Sequence, residues 1–374
     1  MSSQVDRNGA PLLGYRPALD GLRALAVGLV MAFHASTSAF SGGVIGVTIF
    51  FVLSGYLITK LLVEELDRTD TINLRAFYGR RLYRLAPALI ALLIVVTLLS
   101  WHLVHPGLRG KLMVEVVLAF LYLTNLQIAF SGLPTGQLWL THTWSLAVEE
   151  HFYLFWPWTM RRLRLGNRDG RSVVRGLLLA AGAIGLVRIV VDLAGIPNMF
   201  MFSALRFDGF AVGGALAFAH HRSVRSKVLD WMKTDAAAGM ALVWIVAFTL
   251  AARRLPHLTG ANWNLVNTAP SAVLIVHLLF RDRSLLTSLS RSKPAVWMGK
   301  RSYSIYLWHP LAYIYFSKRR FPSIPLPMLG VIKVVAGFAL AAASYRFVEM
   351  RFLARRNRLR ELRTAEAAAP SVPN

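Results

Sequence analysis

Apolar runs of about twenty residues recur from about residue 18 to about residue 346, and they constrain the fold more than any other feature. A helix of about twenty apolar residues is long enough to cross the hydrocarbon core of a bilayer. One globular core could not bury so much apolar surface, whereas many helices packed in lipid can. Only 16% of the residues are charged, against about 25% in an average soluble domain. The sequence therefore predicts an all-α, polytopic membrane helix bundle.

Eleven segments have the length and hydropathy of candidate transmembrane helices. They are residues 19–40, 43–63, 85–104, 112–130, 144–160, 176–194, 204–220, 236–251, 264–280, 302–317 and 326–346.

The positions of the positive residues test this count, because short loops rich in Lys and Arg stay in the cytoplasm. Four Arg in residues 75–84 and five in residues 161–171 place two loops inside. Three candidates lie between these loops, and an odd number cannot return the chain to the same side. We therefore expect either 85–104 or 112–130 to be re-entrant or non-crossing. About ten transmembrane helices and two cytoplasmic ends remain, although positive residues at 253–254 and 318–320, in predicted external loops, disagree.

Three parts of the chain differ in composition. Residues 1–17 predict a cytoplasmic N-terminal segment, residues 18–350 a membrane domain, and residues 351–374 a basic cytoplasmic tail with a disordered end. The 42 Lys and Arg exceed the 18 Asp and Glu and give a net charge of +24. Because the excess lies mostly in short loops and the tail, we interpret it as membrane orientation. The predicted partner is the lipid bilayer and not nucleic acid.

The chain contains no cysteine. This excludes disulfides, a thiolate nucleophile, Cys-ligated zinc and iron–sulfur clusters. His102 and His105 have a possible metal spacing, but no carboxylate lies nearby in the sequence, so we predict no metal site. A nucleophile or base must then come from His, Ser, Asp, Glu or Lys.

Arg23 and His34 are eleven residues apart in the first predicted helix. Eleven steps of about 100° bring both side chains to one face, separated by about 16 Å along the axis. One interpretation is a snorkelling arginine and a hydrogen-bonded core histidine. The other interpretation is functional, because ionisable groups inside a membrane are costly to keep. In it, Arg23 is an anion anchor and His34 is a base, at the two ends of an elongated ligand.

Glu149 and Glu150 adjoin in the run Trp144–Tyr153, at the start of an otherwise apolar helix. They could simply stabilise the positive N-terminus of that helix. Alternatively, one carboxylate orients His34 and stabilises its imidazolium, as in a catalytic dyad.

Arg80, Arg81 and Arg84 lie close together in the loop predicted to enter the third helix. Guanidinium groups at this spacing suit a phosphate ligand. Membrane orientation or contact with lipid headgroups would also explain them. The adjacent His220 and His221 adjoin a basic loop, and we expect them to be solvated.

The ordered set of motifs resembles the acyltransferase-3 family of bacterial integral-membrane O-acyltransferases, over about residues 15–350. The motifs are Arg-x10-His at Arg23 and His34, the run 46–59, Arg-x-x-Arg at Arg81 and Arg84, and the runs 144–153, 206–209 and 302–310. Thr48 stands where many members of the family have Asp, so any role that the Asp carboxylate has in those members is not available here. Many members also carry an esterase-like domain after the membrane part; we expect this protein to be the membrane domain alone.

The resemblance implies transfer of an acyl group, often acetyl, from cytoplasmic acyl-CoA to a hydroxyl of a carbohydrate or glycosylated acceptor. Acyl-CoA is then a substrate, no cofactor is bound permanently, and the protein is a multi-pass protein of the bacterial plasma membrane. The implied catalytic residues are His34, Glu149 and Glu150. The implied substrate-binding residues are Arg23, Arg80, Arg81, Arg84, Ser54, Tyr56, Trp144, Arg206, Asp208, Tyr303 and His309. A transporter or flippase is the alternative, but two related halves with broken helices are not found.

Overall fold

The computed structural model describes residues 14–132, 139–254, 263–356 and 358, and all regular secondary structure in these ranges is helical. The α-helices are α1 (Pro17–Ala35), α2 (Ile45–Thr69), α3 (Leu74–Leu103), α4 (Pro106–Phe120), α5 (Thr124–Ser131), α6 (Trp144–Arg162), α7 (Gly170–Leu193), α8 (Asp208–His221), α9 (Lys227–Met232), α10 (Asp235–Ala251), α11 (Trp263–Phe280), α12 (Leu285–Ser290), α13 (Lys293–Lys300), α14 (Ser302–Tyr315) and α15 (Leu326–Ser344). A π-helical segment, Tyr345–Glu349, continues α15.

Six helical segments in the described ranges are long and apolar enough to cross a membrane. They are Pro17–Ala35, Ser41–Thr69, Leu74–Leu103, Gly170–Leu193, Asp235–Arg254 and Leu326–Arg356. A shorter apolar helix covers Val266–Phe280. The all-helical prediction is confirmed, whereas the count of ten crossings and the cytoplasmic ends stay predictions.

The two segments of uncertain topology differ in structure. Residues 85–104 belong to α3, a continuous helix of 30 residues. Residues 112–130 are interrupted between α4 and α5, where Tyr122 has a φ of 55°. A left-handed residue ends the α-helical hydrogen-bond pattern because its Cβ approaches the following carbonyl. The interruption therefore falls in 112–130.

Helix α3 also begins earlier than the sequence pattern predicted. Its N-cap is Asn73, whose side chain accepts a hydrogen bond of 2.9 Å from the backbone N–H of Ala76. A cap of this kind satisfies one of the free N–H groups of the first turn. The prediction that Arg80, Arg81 and Arg84 lie in a loop is therefore wrong, because all three lie in the N-terminal part of this helix.

Close crossing of α2 and α8 sets the centre of the bundle. A Cβ atom at Gly55 would lie 2.2 Å from the carbonyl oxygen of Phe210, and one at Gly213 would lie 2.0 Å from that of Val52. Only glycine permits backbones to approach this closely, as in other membrane helix pairs. Helices α1 and α14 pack beside this crossing, and most of α14 is buried. These inner helices carry the residues of the candidate site.

Candidate active site

Arg84 of α3 has Arg81 of the same helix and Arg23 from α1 as electrostatic neighbours. The guanidinium of Arg81 stacks over the ring of Tyr153, 3.5 Å from its centroid. Arg84 is accessible to solvent although Arg23, Arg81, Tyr153 and Glu349 are its electrostatic neighbours. Arg84 thus combines access to solvent with nearby charges of both signs. We call Arg23, Arg81 and Arg84 the arginine cluster.

Arg80 occupies a different environment from the arginine cluster. Its side chain is 52% exposed, and its guanidinium lies 3.6 Å from a carboxylate oxygen of Glu65 on α2. An exposed pair of this kind contributes little to stability. Arg80 therefore lies on the surface of the N-terminal part of α3.

Glu149 continues the polar interior beyond the arginine cluster. It accepts hydrogen bonds from the hydroxyl groups of Ser54 and Tyr153. Ser145, Glu149 and Tyr153 are spaced four residues apart on α6, and this spacing puts their side chains on one face. Glu150 lies one residue on, with Arg81 and Glu149 as charged neighbours.

Ser145 connects α6 to α14. Its hydroxyl lies 2.5 Å from that of Tyr306, which donates a hydrogen bond of 2.7 Å to the backbone carbonyl of His142. Tyr306 lies one helical turn before His309, and the centroids of their rings are 6.0 Å apart. The side chains of α6 and α14 thus lead from Glu149 towards the C-terminal end of α1.

Two histidines meet where α1 and α14 pack. His34 Nδ1 lies 2.9 Å from the carbonyl oxygen of Val30 and 3.2 Å from Nε2 of His309. His309 Nδ1 lies 2.9 Å from the carbonyl oxygen of Ile305. His34 is half-buried, whereas His309 is fully buried. We call the connection from the arginine cluster through Tyr153, Glu149, Ser145, Tyr306 and His309 to His34 the polar path.

The hypothesis that Glu149 or Glu150 orients His34 is wrong for this structure. The side chain in contact with His34 Nδ1 is His309, and Glu149 is engaged by Ser54 and Tyr153. The carboxylates lie on α6 one turn beyond Ser145, while His34 lies at the end of α1. Glu149 therefore belongs to the middle of the polar path.

Arg206 and Asp208 are buried in packing contacts. Arg206 lies over the ring of Trp144, 5.0 Å from its centroid. Asp208 forms a 2.8 Å ion pair with Arg188 of α7, and both side chains are at most 2% exposed. A buried ion pair of this geometry joins α7 to the start of α8. Tyr303 donates a 2.8 Å hydrogen bond to the carbonyl of Leu85 on α3.

Tyr56 faces away from Ser54 and lines a separate cavity of about 270 Å³ between α2, α8, α9 and α11. Its hydroxyl lies 2.6 Å from Nδ1 of His220. The expectation that His220 and His221 are solvated is wrong for His221, whereas His220 is half-buried and lines this cavity. His221 is 3% exposed and lies 2.7 Å from Asp67 and 2.8 Å from Nζ of Lys60. These histidines are in the last turn of α8, which packs on α2.

Sequence reasoning missed Glu349. This carboxylate is 5% exposed, accepts a hydrogen bond from Ser304 and has Arg84 and Arg301 as charged neighbours. It lies in the π-helical segment that continues α15, and such segments occur frequently at functional sites. The signal in the sequence was that Glu349 is the one acidic residue in the basic stretch 345–360.

His142 was also missed, because it lies in a predicted external loop just before Trp144. Its ring centroid is 6.1 Å from that of His309. Burial, followed by the charge of nearby His34, lowers the pKa of His142 to about 3, while the Leu307 carbonyl opposes this shift. His142 is therefore neutral at physiological pH. The described part of the chain holds no group of three or more His, Asp or Glu side chains suited to a metal ion.

Comparison with known proteins gives consistent results. A family model described as an acyltransferase domain matches residues 16–346. Peptidoglycan O-acetyltransferase OatA of Listeria monocytogenes is 32% identical over 362 residues, which cover 90% of this chain and 55% of that protein. O-acetyltransferase OatA of Staphylococcus aureus is 31% identical over 349 residues, covering 90% and 57%. The chain thus spans little more than half the length of these relatives. No solved structure is significantly similar to the chain.

Proposed function

We propose a function on the premise that the chain belongs to the acyltransferase-3 family of membrane acyltransferases. In this proposal, the protein moves an acetyl or other short acyl group from cytoplasmic acyl-CoA to a hydroxyl of a carbohydrate or glycosylated acceptor at the cell envelope. Two relatives named O-acetyltransferases support acetyl as the group. The Listeria relative is named for peptidoglycan, which supports a cell-envelope glycan as the acceptor.

The polar path is the observation that carries this proposal. It joins a cluster of guanidinium groups to a half-buried imidazole through side chains of α1, α3, α6 and α14. Arg23 and His34 are about 16 Å apart along α1. An extended pantetheine arm can bridge this separation with its phosphates at the arginine cluster and its thioester near His34.

Arg23, Arg81 and Arg84 bind the phosphates of the donor in this proposal. Guanidinium groups form paired hydrogen bonds with phosphate oxygens and keep their charge at any physiological pH. Glu349 accepts a hydrogen bond from Ser304 and is an electrostatic neighbour of Arg84, so its carboxylate offsets part of the positive charge of the cluster. Arg80 is left outside this donor site, because it faces the surface beside Glu65.

His34 carries out the transfer, either as general base or as a temporary carrier of the acyl group. As base, His34 takes the proton of the acceptor hydroxyl while the oxygen attacks the thioester carbonyl. The new C–O bond replaces the C–S bond, and the CoA thiolate leaves and takes up a proton. Glu149 contributes a fixed negative charge along the path, and Glu150 lies beside it.

The same proposal fixes the orientation in the membrane. Donor and acceptor reach the polar path from opposite sides of the bacterial plasma membrane. The arginine cluster is then on the cytoplasmic side and His34 on the outer side. About ten crossings, with residues 1–17 and 351–374 in the cytoplasm, satisfy this arrangement and keep the Arg-rich loops at 75–84 and 161–171 inside.

Acyl transfer can be tested with purified protein in liposomes, with acetyl-CoA labelled in the acetyl group and a panel of cell-envelope glycans. We expect label to appear on glycan hydroxyls with the native protein and not with His34→Ala. Mass spectrometry of envelope glycans from cells with and without the gene would identify the natural acceptor. Movement of an unmodified glycan or lipid-linked sugar across the liposome membrane, without labelled product, would favour a transporter instead.

A further inference from the structure

We infer that His309 is a positioning residue that keeps the proton of neutral His34 on Nδ1 and makes Nε2 of His34 the reacting atom. The inference rests on the proposed function for the identity of the reaction. The proton positions are inferred from the contacts of the two rings. Each ring is bonded through Nδ1 to a carbonyl four residues earlier on its own helix.

The proton positions follow from the acceptors. A carbonyl oxygen only accepts hydrogen bonds, so Nδ1 of His309, 2.9 Å from the Ile305 carbonyl, carries the hydrogen. A neutral imidazole has one N–H, and Nε2 of His309 is therefore an acceptor. His34 Nδ1 is 3.2 Å from this acceptor and 2.9 Å from the Val30 carbonyl. Nδ1 of His34 thus donates to both, and Nε2 keeps a free electron pair.

The surroundings of His309 hold its ring in this orientation. His309 is fully buried, and the rings of Tyr306 and Tyr313 flank it with centroids 6.0 and 5.5 Å away. A neutral imidazole costs less to bury than a carboxylate at this position, because an ion must be paired to be tolerated in a membrane interior. His309 thus takes the place that a carboxylate has in a catalytic triad.

The pair then serves the reaction in both of its possible forms. If His34 acts as base, Nε2 gains the hydroxyl proton, and the resulting imidazolium shares its Nδ1–H between Val30 and His309. If His34 carries the acyl group, Nε2 attacks the thioester, an N–C bond forms, the C–S bond breaks and the CoA thiolate leaves. The acyl-imidazolium then shares its Nδ1–H between the Val30 carbonyl and His309. When the acceptor hydroxyl attacks the acyl carbon, the new C–O bond forms, the N–C bond breaks and the hydroxyl proton passes to the CoA thiolate.

Two substitutions of His309 separate the acceptor role from packing. His309→Gln can place its amide oxygen near the position of Nε2, whereas His309→Leu has similar volume and no acceptor. We expect kcat to fall about 100-fold or more in His309→Leu, with KM for acetyl-CoA within about threefold, and to stay within about tenfold in His309→Gln. Equal loss in both variants, or none in His309→Leu, would overturn the inference.

A second measurement needs no substitution of His309. Nitrogen-15 NMR of histidine-labelled native protein reports which ring nitrogen is protonated, and the His34 signals are those lost in His34→Gln. We expect protonated Nδ1 and unprotonated Nε2. The opposite tautomer would overturn the inference even if acyl transfer is normal. Conversely, the expected tautomer in a protein that transfers no acyl group would refute the proposed function and leave the proton assignment standing.

Discussion

The two ends of the polar path hold their functional side chains in different ways. At the histidine end, His34 and His309 are each bonded to a carbonyl of their own helix, and aromatic rings enclose the buried one. At the arginine end, Arg84 is accessible to solvent and is surrounded by side chains from α1, α6 and the extension of α15. The first arrangement suits a reaction at one fixed atom. The second suits a larger charged ligand.

The difference predicts that substitutions at the two ends change different kinetic constants. Groups that act only in the transition state change kcat, whereas groups that bind substrate and transition state equally change KM. The histidine end should therefore affect kcat, and the arginine end should affect the KM for acyl-CoA.

The largest effect is expected for His34→Ala. Loss of a general base or acyl carrier should lower kcat by about 10² to 10⁴-fold and change the KM for acetyl-CoA little. Steady-state kinetics of the purified protein in liposomes measures both constants. A folded His34→Ala protein that keeps more than half its activity would contradict the assignment of His34.

An intermediate effect is expected for Glu149→Gln. The amide keeps the shape of the side chain but weakens the hydrogen bonds from Ser54 and Tyr153, and it removes a negative charge beside Arg81. Because hydrogen bonds to charged groups are worth about 1.5 to 3 kcal/mol, we expect a loss of about ten- to a hundredfold in kcat/KM. Glu150→Gln, measured in parallel, shows whether the second carboxylate matters. Normal rates in both variants would mean that the carboxylates only stabilise the N-terminal half of α6.

The sequence predicts the parts of this site that are close together along the chain and misses those that are far apart. Arg23 and His34 lie on one helix, so a period of 3.6 residues was enough to place them together. The contact of His34 with His309 joins residues 275 positions apart, and no local pattern encodes such a pairing. The hypothesis of a carboxylate partner for His34 failed for this reason.

Helix ends were the other source of error. The arginines were expected in a loop because they are charged, but the Asn73 cap starts α3 before them. Glu349 was missed because a π-helical turn, which periodicity does not reveal, directs it towards α3. The all-helical class, in contrast, followed directly from the recurrence of apolar runs.

A smaller effect is expected for Arg81→Lys and Arg84→Lys. Lysine keeps the charge but cannot form the paired hydrogen bonds of a guanidinium with phosphate. We expect the KM for acetyl-CoA to rise about five- to tenfold, with kcat and the KM for the glycan nearly unchanged. Arg75→Lys is the matched control, because Arg75 is exposed on the same helix. If all three variants behave alike, the cluster serves membrane orientation and not donor binding.

No loss of activity is expected for the substitutions that test which side each end faces. Residues 75–84 contain four Arg, whereas residues 131–143 contain no Lys or Arg, so the positive-inside rule places them on opposite sides. The chain has no cysteine, so Gly79→Cys and Ser131→Cys each introduce a single thiol. A Cβ atom at Gly79 meets no atom within 4 Å, and Ser131 is exposed at the end of α5. Both variants should therefore fold normally.

A membrane-impermeant thiol reagent applied to intact cells, with outer barriers permeabilised where present, should label Ser131→Cys. Gly79→Cys should be labelled only after the plasma membrane is opened, because a cytoplasmic donor requires the arginine end to face inward. The continuous helix α3 is long and apolar enough for one crossing between the two positions. The interruption between α4 and α5 allows the following segment to turn back without a second crossing. Labelling of both thiols from outside would place residues 79 and 131 on the same side of the membrane. The prediction that the arginine end faces inward and the histidine end faces outward would then be wrong.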